Sequence, residues 1–458
     1  MNTLIVLAIV AVLILFLGVL NLKNWILPVA IAGLLLAFGL NLDDWGATRA
    51  YYNNMLVTDN FSVAFGSLIM LSTLFVFLLS YHYYKAPEKA PEGIYSIILF
   101  SVIGALVMIS SANLVNFFIG LEIMSISAYL LAGSEKKSVA SNEAAMKYFL
   151  MGSFASAFLL FGIALLFGAT GSLYFHDIAK YSTTHIGTAP LIFKAGVLLV
   201  ALGMSFKVGA VPFHFWVPDV YQGSPAIITT FMITAIKVAG FAAFLRLTID
   251  CFPGDNAIWS GTLAIIAAAS IIIGNLTAIG QSSVKRMLAY SSIAHTGYLL
   301  IAIVCLQSNS PNVILYYSYA YVLANLGAFA ILIAQREAMG NTSLESFNGL
   351  GKLSKLSAIA FTIAMLSLTG IPPLAGFMAK YNLFILAIQH GYLWLVIIAI
   401  LGSVVSIFYY FKPIINIYMK PAEGKSLNLS GISIFTIILI TLFSLVLGFI
   451  PGWVMSAI

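Results

Sequence analysis

The stretch that decides the fold is residues 201–226, ALGMSFKVGAVPFHFWVPDVYQGSPA. It lies in a mostly apolar run, about residues 191–222. As one helix that run would measure roughly 48 Å, whereas the hydrocarbon core of a bilayer is roughly 30 Å thick. Pro212 lacks a backbone N–H and clashes with the preceding turn, so we expect the helix to break there. Lys207 would then lie beside a helix break at membrane depth, which is typical of ion or proton pathways.

The composition of the whole chain indicates a membrane protein. Of its 458 residues 61% are hydrophobic and 8% are charged, whereas soluble domains carry about 25% charged residues. The net charge of +6 comes mostly from short loops between apolar runs, so it indicates orientation in a membrane rather than nucleic-acid binding. Cys251 and Cys305 form no metal-binding spacing, and the sequence predicts no metal site or disulfide.

Apolar runs long enough to span a bilayer recur along the chain, and we count about fourteen. The predicted fold class is therefore an all-α polytopic membrane protein. The first run has no basic residue before Lys23, which favours a first span over a secretory signal. No hydrophilic stretch between the runs is long enough for a soluble domain.

The twelfth run, about residues 355–389, is also too long for one straight span. It contains SLTGIPPLAGFMAKY, in which Pro372 and Pro373 precede Lys380. Because the seventh and twelfth runs are five helices apart, an odd number, corresponding helices would be inverted, as in many transporters. We therefore predict two inverted five-helix repeats, helices 4–8 and 9–13, with helices 7 and 12 discontinuous. The predicted units are residues 1–92 with helices 1–3, the repeats at 93–250 and 251–415, and helix 14 at 416–458.

The charges of the loops predict the orientation. If the N-terminus is outside, the outer loops hold Arg49, Lys180, Lys194 and Arg246. The inner loops then hold a larger set: Lys23, Lys85, Lys89, Lys136, Lys137, Lys147, Lys285, Arg286, Arg336, Lys352, Lys355, Lys412, Lys420 and Lys425. Positive residues accumulate on the inner side of a membrane. We therefore predict that both termini lie on the outer, periplasmic side of a bacterial inner membrane.

Four ionisable residues fall well inside apolar runs: Glu122, Lys207, Lys237 and Lys380. Charges at membrane depth are costly and usually serve transport. Structural ion pairs or lysines that reach the interface are the alternative, and they explain a single lysine better than this set. Removal from water disfavours the charged forms of lysine and glutamate, so a buried lysine can release and rebind a proton. An adjacent Glu122 carboxylate would hold Lys207 charged, and separating the two would let the lysine deprotonate.

Five segments of the chain resemble the antiporter-like membrane subunits of respiratory complex I, the proton-pumping NADH:quinone oxidoreductase. They are GLEIMSISAYLLAG with Glu122, FKVGAVPFHFWVPDVYQGSP with Lys207, ITAIKVAGFAAFLR with Lys237, SVKRMLAYSSIAHTGY with His295 and SLTGIPPLAGFMAKY with Lys380. The resemblance covers nearly the whole chain. It is strongest to the N-type branch, because Lys380 stands where the M-type carries a glutamate and the long lateral helix of the L-type is absent.

The resemblance implies the same fold and a set of roles. Glu122 and Lys207 would form a coupled ion pair. Lys237 would be the central proton carrier, Lys380 the proton site of the second half, and His295 part of the connecting water chain. NADH, FMN, iron–sulfur clusters and quinone would be bound by partner subunits. The chain would then be a translocase subunit without a redox site, packed in lipid against neighbouring antiporter-like and small membrane subunits.

Two other functions are compatible with the sequence. A subunit of a multisubunit cation/proton antiporter would share these motifs but would have no redox partner. A membrane scaffold would anchor a complex without transporting ions, and it should tolerate replacement of Lys237.

Overall fold

The computed structural model describes residues 1–84, 91–253, 256–306, 309–422 and 426–457. Within these ranges twelve helices are long and apolar enough to cross a membrane. The predicted polytopic, predominantly helical class is therefore confirmed. Three of the predicted inner-loop charges, Lys85, Lys89 and Lys425, lie outside the described residues.

The N-terminal unit contains three long helices and a short β-hairpin. The elements are α1 (Asn2–Val19), α2 (Lys23–Leu42), β1 (Arg49–Tyr51), β2 (Leu56–Thr58) and α3 (Asn60–Tyr83). The strands pair antiparallel through a turn in which Tyr52, Asn53 and Asn54 have positive φ. Asparagine tolerates this left-handed conformation better than most residues. The sequence did not predict this hairpin, whose two three-residue strands lie within a predominantly helical fold.

The first predicted repeat contains four long helices, one short amphipathic helix and the two half-helices of the first break. They are α4 (Pro91–Ile109), α5 (Leu114–Ala132), α6 (Val139–Thr170), α7 (Phe175–Thr184), α8 (Leu191–Lys207), α9 (Trp216–Gly223) and the pair α10 (Ala226–Phe231) and α11 (Lys237–Asp250). A π-helical turn, Met232–Ile236, joins α10 to α11 without interruption. The sequence predicts neither α7, whose Lys180 falls in a predicted outer loop, nor the π turn.

The second predicted repeat and the C-terminus follow the same pattern of long and broken helices. They are α12 (Asn256–Ile279), α13 (Val284–Val304), α14 (Ser310–Met339), α15 (Leu350–Leu353), α16 (Lys355–Thr369), α17 (Ala375–Gln389), α18 (Leu393–Met419), α19 (Gly431–Phe449) and α20 (Gly452–Met455). A 3₁₀ turn, Glu345–Phe347, precedes α15. The continuous helix of α10 and α11 is almost entirely buried, as are α13 and α14.

The first predicted helix break is present. α8 ends at Lys207, and Pro212 lies in the turn that precedes α9. The backbone N–H of Val211, freed by this break, donates to Ser270 Oγ on α12 at 2.9 Å. Irregular backbone at membrane depth is tolerated where protein groups satisfy it. A side chain from the second half of the chain therefore satisfies the broken helix of the first.

The second predicted break is present as well. α16 ends at Thr369, Gly370 follows with φ +88°, and Pro372 and Pro373 lie in the turn before α17. The four half-helices of the two breaks are each too short to count among the twelve long helices. If each broken pair crosses the membrane once, the spans number about fourteen, and that count remains a prediction.

Close glycine contacts occur at matching places in the two halves. A Cβ added to Gly104 on α4 would lie 2.7 Å from the carbonyl oxygen of Gly120 on α5. A Cβ added to Gly297 on α13 would lie 2.6 Å from the carbonyl oxygen of Ala267 on α12. Small residues let membrane helices approach this closely. The first two helices of each predicted repeat thus pack alike, which favours the repeats, although their boundaries remain a prediction.

Candidate functional site

The structure brings Glu122 and Lys207 together. Glu122 lies in the middle of α5, and Lys207 is the last residue of α8. Lys207 Nζ is 3.6 Å from Glu122 Oε1, and the lysine side chain is 7% exposed against 23% for the glutamate. The carboxylate borders an otherwise largely apolar groove of about 450 Å³ beside α4 and α5. The lysine is therefore sealed in protein, whereas the carboxylate is reached from the surface of the chain.

A serine that the sequence analysis did not select connects this pair. Ser156 on α6 donates to Glu122 Oε1 at 2.5 Å and accepts from Lys207 Nζ at 2.8 Å. Lys207 Nζ also lies 3.3 Å from both Ser125 Oγ and Tyr129 Oη, which belong to α5. Charge-assisted hydrogen bonds stabilise a buried ammonium group and fix its position. The ion pair is thus a three-helix cluster rather than an isolated contact.

Lys237 lies directly after the π turn and is 6% exposed. Its Nζ donates to both the backbone carbonyl and the hydroxyl of Ser292 on α13, the hydroxyl at 2.8 Å. The ring centroid of Tyr321 on α14 is 5.7 Å from the same nitrogen. π turns inside helices are frequent at functional sites because they redirect one side chain. The turn here places a lysine at a helix interface with acceptors but no carboxylate partner among the ion pairs of the described residues.

Lys380 lies on α17 but bonds across the second break. Its Nζ donates to the carbonyl oxygen of Thr369, the last residue of α16, at 2.7 Å. The Tyr298 ring centroid on α13 is 4.9 Å from Nζ. A cation at a helix C-terminus is favoured by the exposed carbonyls and the helix dipole. The break therefore supplies the acceptor that a buried lysine requires.

His295 lies on α13 between two tyrosines. Its Nδ1 is 2.7 Å from the hydroxyl of Tyr317 on α14, and its Nε2 is 3.3 Å from the hydroxyl of Tyr410 on α18. Tyr410 also hydrogen-bonds Ser291 on α13. The sequence analysis selected the histidine but neither tyrosine, because single aromatic residues in apolar runs give no signal of a polar partner.

Helix α13 is the element that these positions share. Ser292 accepts from Lys237, and Tyr298, less than two turns further along the helix, faces Lys380. Between them Thr296 donates to the carbonyl oxygen of Val208, the residue after Lys207, at 2.9 Å. Residues that contact Lys237, Lys380 and the residue after Lys207 therefore lie within about two turns of one buried helix, which also carries the buried Lys285.

The described part of the chain contains no group of three or more His, Cys, Asp and Glu side chains placed to hold a metal ion. Around the buried lysines, the cluster at α5, α6 and α8 supplies one carboxylate and several hydroxyls, and α13 supplies hydroxyls, a carbonyl and one imidazole. Such groups bind and pass protons, since hydroxyls both donate and accept and a neutral imidazole does so at its two nitrogens.

A comparison with known protein families identifies the family that shares these buried charged residues. The family described as NADH:quinone oxidoreductase/Mrp antiporter, TM, matches residues 111–406. The chain belongs to this family. The match includes Glu122, the three buried lysines and His295, so every predicted site residue lies in the part that the family shares.

Individual relatives extend the similarity over the full chain. NADH-quinone oxidoreductase subunit N of Flavobacterium psychrophilum is 40% identical over 456 residues, which covers 100% of both chains. A chain of respiratory complex I from Thermus thermophilus, solved with bound aureothin, superposes with a TM-score of 0.86 at 33% identity, covering 99% of this chain and 98% of that one. The Mrp complex from a Dietzia species contains a chain with a TM-score of 0.87 at 18% identity, covering 99% and 95%.

These relatives confirm the resemblance to the antiporter-like family and, at about 40% identity, to the N-type branch. The Mrp chain shares the fold and nothing more at its level of identity. Fold alone therefore does not separate a respiratory subunit from an antiporter subunit, since one fold hosts several functions. The roles of the individual site residues remain predictions.

Proposed function

We propose that the chain is the proton-translocating subunit N of a bacterial NADH:quinone oxidoreductase. The full-length identity to subunit N relatives supports this assignment. The observation that carries the transport function is the convergence of three buried lysine sites on α13. A scaffold would gain nothing from three desolvated ammonium groups, because hydrophobic side chains of similar volume stabilise a buried site as well or better.

The geometry supports a stepwise transfer. The Glu122 carboxylate and Ser156 hold Lys207 in its ammonium form while they contact it. Withdrawal of that contact leaves a desolvated charge beside the first helix break, and the proton then leaves. Lys237 receives and releases it at the centre of the chain, and His295 connects this site to Lys380.

The proposed subunit translocates protons without a redox site of its own. NADH, FMN, iron–sulfur clusters and quinone are bound by partner subunits in this proposal, and quinone reduction there drives the cycle of Lys207. The chain lies in the bacterial inner membrane beside other antiporter-like and small membrane subunits.

Co-purification tests the proposed function. A tagged chain, extracted from membranes in mild detergent, should bring down flavin, iron–sulfur clusters and NADH:quinone reductase activity. In liposomes the purified complex should translocate protons when NADH and quinone are supplied. A complex that lacks flavin and iron and exchanges sodium ions for protons would instead establish the antiporter alternative.

The proposed orientation places both termini in the periplasm. The side itself rests on the loop charges, whereas the grouping of the loops into two sides draws support from two clusters of contacts. In the first, Lys147 and Arg286, both assigned to inner loops, contact Asp219 at 2.8 and 3.1 Å. Arg246, assigned to an outer loop, pairs at 2.9 Å with Asp59 of the predicted outer loop before α3. Residues assigned to the same side thus meet in the fold.

Thiol labelling measures this orientation. Single cysteines at Leu4 and Ala457, in a chain whose buried Cys251 and Cys305 are replaced by alanine, should react with an impermeant maleimide on intact cells. A cysteine at the exposed inner-loop residue Lys352 is the matched control and should react only after permeabilisation. If the two terminal cysteines reacted only after permeabilisation and the cysteine at position 352 reacted on intact cells, both termini would lie on the inner side of the membrane.

A further inference from the structure

His295 stands at the centre of a row of hydrogen-bonded side chains from three helices. The ring is 5% exposed, and each nitrogen faces one tyrosine hydroxyl, Tyr317 at Nδ1 and Tyr410 at Nε2. A neutral imidazole has one N–H and one lone pair, so it donates to one tyrosine and accepts from the other. A tyrosine hydroxyl can both donate a hydrogen bond and accept one. The row therefore has a direction, and that direction reverses when the ring changes tautomer.

One end of the row lies at the Lys237 site. The Tyr410 hydroxyl hydrogen-bonds Ser291 Oγ as well as His295. Ser291 precedes Ser292, whose hydroxyl accepts from Lys237 Nζ at 2.8 Å. Tyr410 is thus the side chain that joins the acceptor segment of Lys237 to the imidazole.

The other end of the row lies at the second helix break. His295 and Tyr317 border a cavity of about 10 Å³, whose wall also includes Ser367 on α16 and Ala379 on α17. That volume is close to the smallest that holds a water molecule, about 10–15 Å³. Ala379 immediately precedes Lys380. The cavity therefore borders both the imidazole row and the half-helix that carries Lys380.

We propose that Tyr410 and Tyr317 relay protons through His295 between the Lys237 and Lys380 sites, an inference that rests on the proposed function. Tyr410 passes its hydroxyl proton to Nε2 and takes one from Ser291, and water passes a proton from the Lys237 ammonium group to Ser291 in turn. Nδ1 passes its proton to Tyr317, whose own proton leaves to water in the cavity. One proton crosses the ring, no electrons are exchanged, and the ring is left protonated at Nε2. The first tautomer returns when Nε2 gives its proton to water and Nδ1 takes one from water.

Conservative removal of each hydroxyl tests the relay in the assembled complex. Tyr317→Phe and Tyr410→Phe should each lower NADH-driven proton translocation roughly a hundredfold, at the lower edge of what a single proton-transfer group contributes. Tyr316→Phe is the matched control, because Tyr316 is the buried chain neighbour of Tyr317 and its hydroxyl donates instead to the carbonyl oxygen of Leu447 on α19, at 2.8 Å. That control should keep translocation within about twofold, as expected for a group outside the proton path.

Fluorotyrosine separates a relay from a structural role. Incorporated at position 317 or 410, it keeps the ring and its hydrogen bonds but makes the hydroxyl more acidic. A relay shifts the pH profile of translocation to lower pH, whereas a tyrosine that only orients the ring leaves the profile unchanged. An unchanged profile at both positions therefore overturns the relay, even if the phenylalanine variants fail to assemble.

His295→Gln distinguishes failure of the relay from failure of the proposed function. Glutamine keeps a donor and an acceptor but cannot exchange tautomers. If His295→Gln stops translocation and both phenylalanine variants translocate normally, the relay is wrong and the histidine route stands. Normal translocation by His295→Gln removes the route through the histidine from the proposed function as well. In the relay, adding Tyr410→Phe to His295→Gln causes no further loss, because the two act in one path.

Discussion

Replacement of Lys237 by methionine should abolish proton translocation in a complex that assembles at normal levels. Methionine keeps the length and apolar packing of the buried stem but cannot carry a proton. Lys237→Arg should fail too, because a guanidinium retains its proton at any working pH. We expect both variants to fall roughly a hundredfold, in the range by which single proton-transfer groups act.

The two variants show whether Lys237 acts through its positive charge alone or by releasing and rebinding a proton. If the positive charge alone mattered, arginine would work and methionine would fail. In a tightly coupled complex, quinone reduction should fall together with proton translocation, so both rates are measured in the same membranes. Lys180→Met, on the exposed surface of α7, is the matched control and should leave both rates unchanged. Near-normal translocation by the arginine variant would leave Lys237 with an electrostatic role only.

The helix breaks could be predicted from the sequence because their causes are local. A proline inside an apolar run that is too long for one span stops a helix wherever it occurs, and Pro212 and Pro372 both do so here. Lysines within such runs are equally visible. The prediction therefore identified Lys207 and Lys380 beside the breaks before any packing was known.

Apart from Glu122, the hydrogen-bond partners of those lysines depend on packing, and the sequence did not identify them. Ser156 and Ser205 are both buried serines in apolar helices, and nothing in their surroundings in the sequence distinguishes them. Ser156 hydrogen-bonds Lys207 and Glu122 on two other helices. The Ser205 hydroxyl instead donates to the carbonyl oxygen of Ala201 on its own helix, at 2.8 Å. Which partner a serine hydroxyl contacts depends on the helix that packs against it, and that helix lies far away in the sequence.

The π turn before Lys237 illustrates the same limit at the level of the backbone. Its residues, Met232–Ile236, are all compatible with a regular α-helix and lie in an apolar run. The extra residue is accommodated because α10 and α11 are packed on all sides by other helices. Tertiary contacts decide where such a turn forms, and the sequence alone predicted one regular helix.

Disruption of the Glu122–Lys207 pair should have the second large effect on proton translocation. Glu122→Ala leaves the Lys207 ammonium buried without its carboxylate, and Lys207→Ala leaves the carboxylate without its cation. Breaking a buried pair from one side costs about 3–5 kcal/mol. Each single variant should therefore lose most of its proton translocation, while the double variant loses less than the sum of the two, because no unpaired charge remains.

Ser156 makes this cycle more informative than a two-residue test. Because its hydroxyl contacts both members of the pair, Ser156→Ala should reduce the coupling that the cycle measures between Glu122 and Lys207. Glu143→Ala is the matched control: Glu143 pairs with Lys147 at 2.7 Å, but both side chains are largely exposed, and exposed pairs contribute little. Proton translocation and the amount of assembled complex are measured for every variant. Strictly additive losses for Glu122 and Lys207, with assembly intact, would show that the two act independently and that the carboxylate does not control the lysine.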